Sequence, residues 1–369
     1  MKPDCGLNEF LGGNINGVRH KLDYIHSLGV TCIWLSPFCE TDQYHAYHIT
    51  NFDEVEPRFG SVDDLKCLVD ECHVLGMQII VDWVPNHCSI KHPFFVDAQT
   101  NPNSEYRDWF LFERWPDGYL RFLHFSELAK INLNNPNARE YMVANALRWL
   151  ELGIDGFRID HAIGPSMGFW KEFRRRVKRK FPEAVLIGEV WAAGIPNSDF
   201  KTLGIRDKTR RRRWGINQQE LQLDYSEVFD GVLDFHFAHT VREHFRRKGL
   251  PTGQLRIDCA NHFEMGYSPA YSPVLFLDNH DLDRFLFVCH DKTARLIAAI
   301  KFLFEQPFPV VIYYGTEALM SQGSTIHSNQ PFADLQARQP MAWDSLSADV
   351  VVLIKRLAEE KLKGDKYRL

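Results

Sequence analysis

The stretch Gly153-Ile-Asp-Gly-Phe-Arg-Ile-Asp-His-Ala162 determines how the rest of the chain is interpreted. It predicts a strand that ends in charged residues. Side chains alternate between the two faces of a strand, so Arg158 and Asp160 share one face. A guanidinium beside a carboxylate favours the ionised carboxylate. Asp160 therefore has the surroundings of a nucleophilic aspartate, although most Arg-x-Asp pairs on strands are ordinary ion pairs.

A second apolar run, Ala184-Val-Leu-Ile-Gly-Glu-Val-Trp191, also ends in a carboxylate, Glu189. A segment with helical character separates the two runs. Strand, helix and strand in this order predict a βαβ unit, in which the two strands are parallel. The unit would bring Asp160 and Glu189 to the same edge of one sheet.

Composition limits the class of protein. The chain has 369 residues, 45% of them hydrophobic, and a formal net charge of -5, as in an ordinary globular protein. This balance gives no support to binding of nucleic acid or of an anionic membrane. No stretch approaches eighteen apolar residues, so we expect no membrane span. The eight cysteines lack metal-type spacing, which favours free thiols and a cytoplasmic location.

Strand-like and helix-like segments alternate along the chain. Helical spacing occurs at 14–28, 63–75, 137–152 and 170–181. With the two runs above, the predicted strands lie at 31–36, 78–84, 153–160, 184–190, 231–235, 274–277 and 310–314. This alternation predicts an α/β fold with a parallel sheet, and its even rhythm favours a closed TIM-type barrel. The active site of such a barrel lies in the loops that follow the strands.

Residues 88–135 show no such rhythm and are rich in aromatic residues, Asn and Pro. A loop of this length inside a compact domain is usually a functional insertion. We therefore expect a catalytic barrel formed by 1–87 and 136–369, interrupted after the predicted strand at 78–84 by an irregular inserted subdomain at 88–135.

The ends of the predicted strands collect polar groups that packing does not explain. They are Asp82, His87, Arg158, Asp160, Glu189 and the run Asn279-His280-Asp281. Each alone is more often a turn residue or a structural partner. Several carboxylates at one barrel mouth repel one another, and proteins usually retain such groups for chemistry.

Four motifs resemble the signature motifs of the α-amylase superfamily of glycoside hydrolases and transglycosidases, and they stand in the family's order. They are Asp82-Trp-Val-Pro-Asn-His87, Gly156-Phe-Arg-Ile-Asp160, Gly188-Glu-Val-Trp191 and Phe276-Leu-Asp-Asn-His-Asp281. Further family landmarks are Tyr44-His-Ala-Tyr47, Tyr313-Tyr-Gly-Thr-Glu317 and Arg338-Gln-Pro-Met-Ala-Trp343.

The resemblance implies a retaining glycosidase with three catalytic carboxylates. Asp160 is the nucleophile, Glu189 is the general acid/base, and Asp281 stabilises the oxocarbenium-like transition state. A retaining enzyme needs an ionised carboxylate and a protonated carboxyl roughly 5 Å apart. The resemblance also assigns substrate binding to a further set: Tyr47, Asp82, His87, Arg158, His280 and Arg284.

The implied substrates are α-1,4-linked glucans or maltooligosaccharides, as for an α-amylase or a cyclomaltodextrinase. Two alternatives stay open. One is a transglycosidase or disaccharide isomerase of the same family, since the same carboxylates serve water or a sugar acceptor. The other is a non-catalytic binding or scaffold relative, although such relatives usually lose catalytic carboxylates.

The chain departs from the family pattern in several places. Members of the family begin with a barrel strand, but the residues up to Glu9 hardly form one. We therefore expect that this segment, or a contact in a homo-oligomer, closes the barrel. Lys130 stands where calcium-binding members have an aspartate. An ammonium cannot ligate a cation, so we expect no calcium there and no other cofactor. The Lys-His pair that many amylases carry after the nucleophile is missing, and we expect no C-terminal β-sandwich after Trp343.

Overall fold

The computed structural model describes residues 12–192, 218–328 and 330–364. In chain order the helices are α1 (Ile15–Arg19), α2 (Leu22–Ser27), α3 (Val62–Val74), α4 (Pro93–Thr100), α5 (Pro136–Leu152), α6 (Met167–Lys180), α7 (Gln218–Leu223), α8 (Phe235–Arg247), α9 (Gly253–Phe263), α10 (Phe285–Val288), α11 (Thr293–Phe304) and α12 (Ala348–Lys363). The strands are β1 (Cys32–Leu35), β2 (Cys39–Thr41), β3 (Ile49–Val55), β4 (Gln78–Trp83), β5 (His87–Ser89), β6 (Phe112–Arg114), β7 (Gly118–Tyr119), β8 (Leu128–Lys130), β9 (Gly156–Ile159), β10 (Val185–Gly188), β11 (Gly231–Leu233), β12 (Ser272–Phe276) and β13 (Val310–Val311).

The chain divides into two compact units. Of the described residues, the first unit contains 12–22, 31–192 and 218–230, and the second contains 23–30, 231–328 and 330–364. Each unit has its own parallel strands with helices packed around them. All seven strands predicted from the sequence are present, four in the first unit and three in the second.

The first unit is built on β1, β4, β9 and β10, which pair in that order and run parallel. Gly156 is the tightest point of this sheet. A Cβ atom at Gly156 would lie 2.1 Å from the backbone oxygen of Val185, so only glycine allows β9 and β10 to pair this closely. The close pairing sets the register in which Asp82 lies opposite Arg158 and Arg158 lies opposite Ile187.

Local sequence signals explain where the helices beside this sheet begin and end. Asn135 caps α5 by accepting hydrogen bonds from the backbone N–H groups of Asn137 and Ala138, and Pro136 occupies the first turn. Gly153 ends α5 in the left-handed conformation, with φ of 112°. The turn then leads directly into β9, so the capping signals around α5 position the strand that carries Arg158.

Aromatic packing joins the sheet to the helices of the first unit. The rings of Trp83 and Phe173 stack with centroids 4.7 Å apart, and Trp83 Nε1 donates a hydrogen bond to Asn145 Oδ1 at 3.1 Å. Asn145 also donates to the backbone oxygen of Phe52. These buried contacts fix β4 against α5 and α6, close to the end of the strand that bears Asp82.

The insertion at 88–135 contains more regular structure than the sequence predicts. It includes α4 and short antiparallel strands, with β5 paired to β8 and β6 paired to β7. Strands of two or three residues are too short to show an alternating pattern, so no periodic signal marks them in the sequence. The predicted boundaries between barrel and subdomain stay a prediction.

The second unit contains β11, β12 and β13, which are parallel and pair in chain order. A continuous apolar core joins these strands to α8, α11 and α12, and it includes Val241, Phe245, Leu275, Ile300 and Ile354. Gly29 lies against this core, and a Cβ atom there would come within 2.7 Å of the Ala358 side chain.

The side chains of β1 are half-buried to exposed. The residues up to Glu9, which were predicted to compensate for the first barrel strand, are outside the described range. In the part of the chain that the structure describes, no helix has the length and apolar character needed to cross a membrane.

We predict that acid destabilises the first unit partly through His92. Its Nδ1 accepts a hydrogen bond from the backbone N–H of Phe94, and burial lowers its pKa to about 4. The unfolded residue titrates near pH ~6.5, so the contribution of His92 is complete above that pH. It falls as the pH drops towards 4, because only the unfolded state takes up the proton.

Thermal unfolding between pH 4.5 and 7.5 tests this. His92→Asn retains a capping side chain without the titrating ring, so its melting temperature should fall less steeply with acid than that of the unmodified protein. The exposed His20 provides the matched control, His20→Asn, which should leave the slope unchanged. Identical slopes for all three proteins would exclude His92 as a source of the acid sensitivity.

Candidate active site

Arg158 is the centre of a buried ionic network in the first unit. From β9, its Nη1 donates hydrogen bonds to Asp82 Oδ1 at 2.8 Å and to Asp160 Oδ1 at 2.9 Å. Its Nη2 lies 2.7 Å from Glu189 Oε1. The guanidinium carbon is 5.4 Å from the ring centroid of Trp34, so an aromatic ring completes its surroundings. One cation thus holds carboxylates from the ends of three strands.

Electrostatics explain why this arginine stays charged although it is fully buried. Burial disfavours the charge, but the attraction of Asp82, Glu189, Tyr47 and Asp160 outweighs it and raises the pKa of Arg158 well above its usual value. The side chains of Arg158 and Asp82 are 0% exposed, whereas those of Asp160 and Glu189 are 10% and 13% exposed. Asp160 and Glu189 are therefore the carboxylates of this network that a substrate can reach.

Backbone groups hold Glu189 in place. The N–H of His161 donates to Glu189 Oε2 at 2.8 Å, and the N–H of Glu189 donates to the oxygen of Ile159. His161 has a φ of 42°, a left-handed conformation that side chains other than glycine seldom adopt. The backbone N–H of this strained residue, which directly follows Asp160, therefore points at the Glu189 carboxylate. Strained backbone conformations are common at functional sites.

Tyr47 and His87 lie beside the network. Tyr47 Oη donates to Asp82 Oδ2 at 2.8 Å, which joins the aromatic loop before β3 to the carboxylates. His87 is buried and its ring stacks on Phe122 with centroids 4.5 Å apart. Burial, together with His48 and Lys130, lowers the pKa of His87 to about 3, so it is neutral at physiological pH. A neutral imidazole can both donate and accept a hydrogen bond.

The remaining predicted residues lie in the second unit. Asp281 follows β12, and its side chain is 40% exposed. His280 Nε2 lies 2.8 Å from Asp281 Oδ2, and Arg338 donates to Asp281 Oδ1 at 2.9 Å and to the backbone oxygen of His280. Both oxygens of this carboxylate are thus oriented by cationic or potentially cationic groups.

Arg284 has a different setting, because it is only 1% exposed. Its Nη1 donates to the backbone oxygen of Tyr314, and its guanidinium lies 4.3 Å and 4.8 Å from the ring centroids of Tyr313 and Tyr314. These contacts favour a role in supporting the Tyr313-Tyr314 segment. Direct contact between Arg284 and a substrate stays a prediction.

The sequence does not mark Arg338, Phe122 or His161 as functional residues. Arg338 belongs to a landmark motif but lies far along the chain from Asp281. Phe122 lies in a segment without periodicity, so no pattern marks it. The backbone N–H of His161 carries its contact to Glu189, and a backbone group has no signature in the sequence.

Lys130 is the residue for which the sequence predicts no calcium. It is buried on β8, and its Nζ donates to the backbone oxygen of Gly164 at 2.9 Å. Asn86 packs against the same glycine, since a Cβ atom at Gly164 would lie 2.0 Å from Asn86 Oδ1. Burial lowers the pKa of Lys130 to about 7. An ammonium donor bonded to a potential ligand carbonyl does not fit a cation site.

Across the described residues, no group of three or more His, Cys, Asp or Glu side chains could hold a metal ion.

The sequence of this chain matches a known family and known proteins. Residues 6–349 match the family described as "Alpha amylase, catalytic domain". The chain is 36% identical over 346 residues to Alpha-amylase 2 of Dictyoglomus thermophilum, covering 93% of this chain and 56% of that protein. It is 30% identical over 363 residues to the intracellular maltogenic amylase of Bacillus subtilis, covering 96% and 56%.

The fold also matches that of a solved α-amylase structure. The α-amylase of Geobacillus thermoleovorans, complexed with acarbose, superposes with a TM-score of 0.78 and 26% identity, over 98% of this chain and 76% of that one. The predicted α/β, TIM-type barrel class is thus confirmed. The chain spans just over half the length of the two curated relatives named above. The extent of the family match and these identities show that the chain belongs to the α-amylase catalytic-domain family of glycoside hydrolases.

Proposed function

We propose that the chain is a retaining α-glycosidase that acts on α-1,4-linked glucans or maltooligosaccharides through a covalent glycosyl-enzyme intermediate. One observation carries the proposal: Arg158 holds Asp160 and Glu189 at adjoining strand ends while both carboxylates keep contact with solvent. A charged, oriented carboxylate next to a second carboxyl is the arrangement that double displacement at an anomeric carbon requires.

In the first step, Glu189 gives its proton to the glycosidic oxygen as the bond from that oxygen to the anomeric carbon breaks. Asp160 attacks the same carbon and forms the glycosyl ester, so the leaving sugar departs as an alcohol. Arg158 favours the ionised form of Asp160 before the attack, since protonation would remove one of its ion pairs. The single charge of Arg158 faces three carboxylates, so repulsion among them favours a proton on one, and we assign this proton to Glu189. The backbone N–H of His161 fixes the direction of Glu189.

In the second step, Glu189 acts as a base. It removes a proton from water or from a sugar hydroxyl, whose oxygen attacks the anomeric carbon and displaces Asp160. Two inversions at one carbon retain the α configuration. Water gives hydrolysis and a sugar gives transfer, so the transglycosidase alternative differs from hydrolysis only in the acceptor.

The other residues are proposed to position the sugar. Tyr47 offers an aromatic face, and the neutral His87 offers a hydrogen bond to a hydroxyl group. Asp281 is proposed to bind hydroxyl groups of the sugar at the transition state, with His280 and Arg338 orienting its two oxygens. Asp82 is proposed to act mainly by fixing Arg158 and Tyr47, since its side chain is 0% exposed.

We also propose a cytoplasmic location. The described cysteines at 32, 39, 67, 72, 88, 259 and 289 are free thiols, which a reducing compartment preserves. The name of the Bacillus subtilis relative states that this maltogenic amylase is intracellular.

We further propose that no calcium binds beside Asn86, because the Lys130 amino group lies there and donates a hydrogen bond to the Gly164 oxygen. Lys130 thereby bonds the insertion, through β8, to the loop that follows β9. A side-chain amino group cannot be extracted by a chelator.

The substrate class is tested by incubating the protein separately with maltooligosaccharides, cyclodextrin, starch and sucrose, with and without an acceptor sugar. We expect α-configured products from one or more α-glucans, detected by NMR during the first minutes of reaction. β-Configured products would contradict the double displacement. No reaction from a folded protein would instead favour the binding-subunit alternative.

The roles of the two carboxylates predict different responses to substitution. Asp160→Asn and Glu189→Gln each keep an oxygen that can accept the existing hydrogen bond, so we expect both variants to fold. Turnover of maltooligosaccharides should fall about a thousandfold or more in each. On α-maltosyl fluoride, whose leaving group needs no proton, Glu189→Gln should release one equivalent of fluoride rapidly and then turn over slowly, because the base of the second step is missing. Asp160→Asn should show no such rapid first release.

The matched control is Glu227→Gln, which neutralises an exposed carboxylate paired with Lys171 and should leave turnover unchanged. Near-normal rates in Asp160→Asn would refute the nucleophile assignment. Equal rates of the first fluoride release in both variants would refute the division of roles.

Calcium independence is tested by melting temperature and by activity. A chelator should change neither in the unmodified protein. Lys130→Met leaves the Gly164 carbonyl without its donor and should cost about 1–3 kcal/mol of stability, which calcium should not restore. Lys91→Met, at an exposed lysine paired with Asp42, is the control and should have little effect. A chelator-induced drop in the melting temperature of the unmodified protein would overturn the proposal.

A further inference from the structure

Gln322, in the loop after β13, is a buried amide that bonds on every side. Its Oε1 accepts a hydrogen bond from the backbone N–H of Arg284 at 2.6 Å. Its Nε2 donates to Asp283 Oδ1 at 2.6 Å and to the backbone oxygen of Ser324 at 2.8 Å. These partners fix the orientation of the amide, because a backbone N–H can only donate and an ionised carboxylate can only accept. Since Gln322 is 8% exposed, a shift of any partner would leave a buried polar group without its hydrogen bond.

Asp283 extends this connection from the β12 side. Its Oδ1 also accepts from the backbone N–H of Ile326 at 2.8 Å, and its Oδ2 accepts from the hydroxyl group of Thr325 at 2.8 Å. Two loops of the second unit are thereby joined. One is the 278–285 turn, which follows β12, and the other is the 322–326 segment, which follows the parallel neighbour β13. Movement of one loop relative to the other would break several of these hydrogen bonds together.

The 278–285 turn carries Asp281, the carboxylate proposed to act at the transition state. Within the turn, Asn279 Oδ1 accepts a hydrogen bond from the backbone N–H of Asp281 at 2.9 Å. Asp278 Oδ2 accepts from the backbone N–H of Phe285 at 2.7 Å. These internal contacts maintain the shape of the turn. The hydrogen bond to the buried amide has a different effect, because it fixes the turn against a loop that follows another strand.

We infer that Gln322 and Asp283 are positioning residues for Asp281, and this inference rests on the proposed function. The polar atoms of the Gln322 side chain are bonded to protein groups, so it acts through the backbone of the turn. Its hydrogen bond to Arg284 lies three residues after Asp281, whose side chain is 40% exposed. The contact keeps that exposed carboxylate where the sugar hydroxyl groups come at the transition state.

This role predicts a particular kinetic effect. A contact made only at the transition state, when it is lost, lowers kcat and kcat/KM by the same factor and leaves KM unchanged. Misplacement of a reacting group by about 1 Å can reduce a rate by about a hundredfold. Loss of stability alone would have no such effect on kcat at temperatures well below the melting transition.

The test compares three variants with maltoheptaose as the substrate, each well below its melting transition. Gln322→Leu removes the acceptor of the Arg284 N–H, so kcat should fall about ten- to a hundredfold while KM changes less than about twofold. Asp283→Ala should lower kcat as well, because the amide loses the carboxylate that orients it. Asp283→Asn keeps one oxygen for Gln322 and Ile326 and can donate to Thr325, so its kcat should stay within about threefold of the unmodified protein.

Gln306→Leu is the matched control. Gln306 also donates to a backbone oxygen in the second unit, that of Phe302, but it precedes β13 instead of following it. Its loss should leave kcat unchanged. A normal kcat in Gln322→Leu would overturn the inference, and so would a raised KM at unchanged kcat. If Gln322→Leu does not fold, the Asp283 variants decide, since equal kcat values in Asp283→Ala and Asp283→Asn would contradict the inference.

Amide hydrogen exchange separates this inference from the proposed function. Mass spectrometry of the peptide that contains residues 279–285 measures how firmly the turn is held, without any turnover. Exchange should be faster in Gln322→Leu and unchanged in Gln306→Leu. Faster exchange supports the positioning contact even if the unmodified protein hydrolyses none of the sugars. Unchanged exchange overturns it even if hydrolysis is confirmed.

Discussion

The buried charge of Arg158 is the constraint on which the first unit depends. A guanidinium with 0% exposure is tolerated only when anions replace the water it has lost. Asp82, Asp160 and Glu189 do so, and each comes from the end of a different strand. The register of β4, β9 and β10 is therefore coupled to the ionic network: a shifted strand would turn its charged side chain away and leave a buried charge without a partner.

The same network separates structure from chemistry among its carboxylates. Asp82 is fully enclosed and also accepts a hydrogen bond from Tyr47, so it serves the fold and the orientation of the site. Asp160 and Glu189 share the cation but keep an exposed edge. Replacing one of these two by its amide removes charge without opening a cavity, which is why chemistry and folding can be examined separately at this site.

The insertion contributes to the site through contacts of a different kind. Lys130 bonds to the loop after β9, and Phe122 packs its ring against His87 and His161. The barrel strands supply the carboxylates, while the insertion supplies an internal amino group and aromatic surfaces. This division agrees with the general observation that a fold fixes the type of chemistry and that loops adjust the substrate.

Much of the fold and of the candidate site could be predicted from the sequence, because the strands are periodic and the proposed catalytic groups follow them directly. Alternation alone places Arg158 and Asp160 on one face, and two apolar runs ending in carboxylates predict a parallel pair. The sequence could not reveal contacts that depend on distant or unpatterned segments. These include the hydrogen bond from Arg338 to Asp281, the packing of Phe122 against two histidines, the burial of Arg284, and the hydrogen bond from the His161 N–H to Glu189.

The sequence by itself thus determined the strand order, the family and the residue types at the strand ends, since these are local or motif-encoded. Only the tertiary structure decided which carboxylates share one cation and which of them reach solvent, because burial and long-range pairing arise when the strands and the insertion pack together.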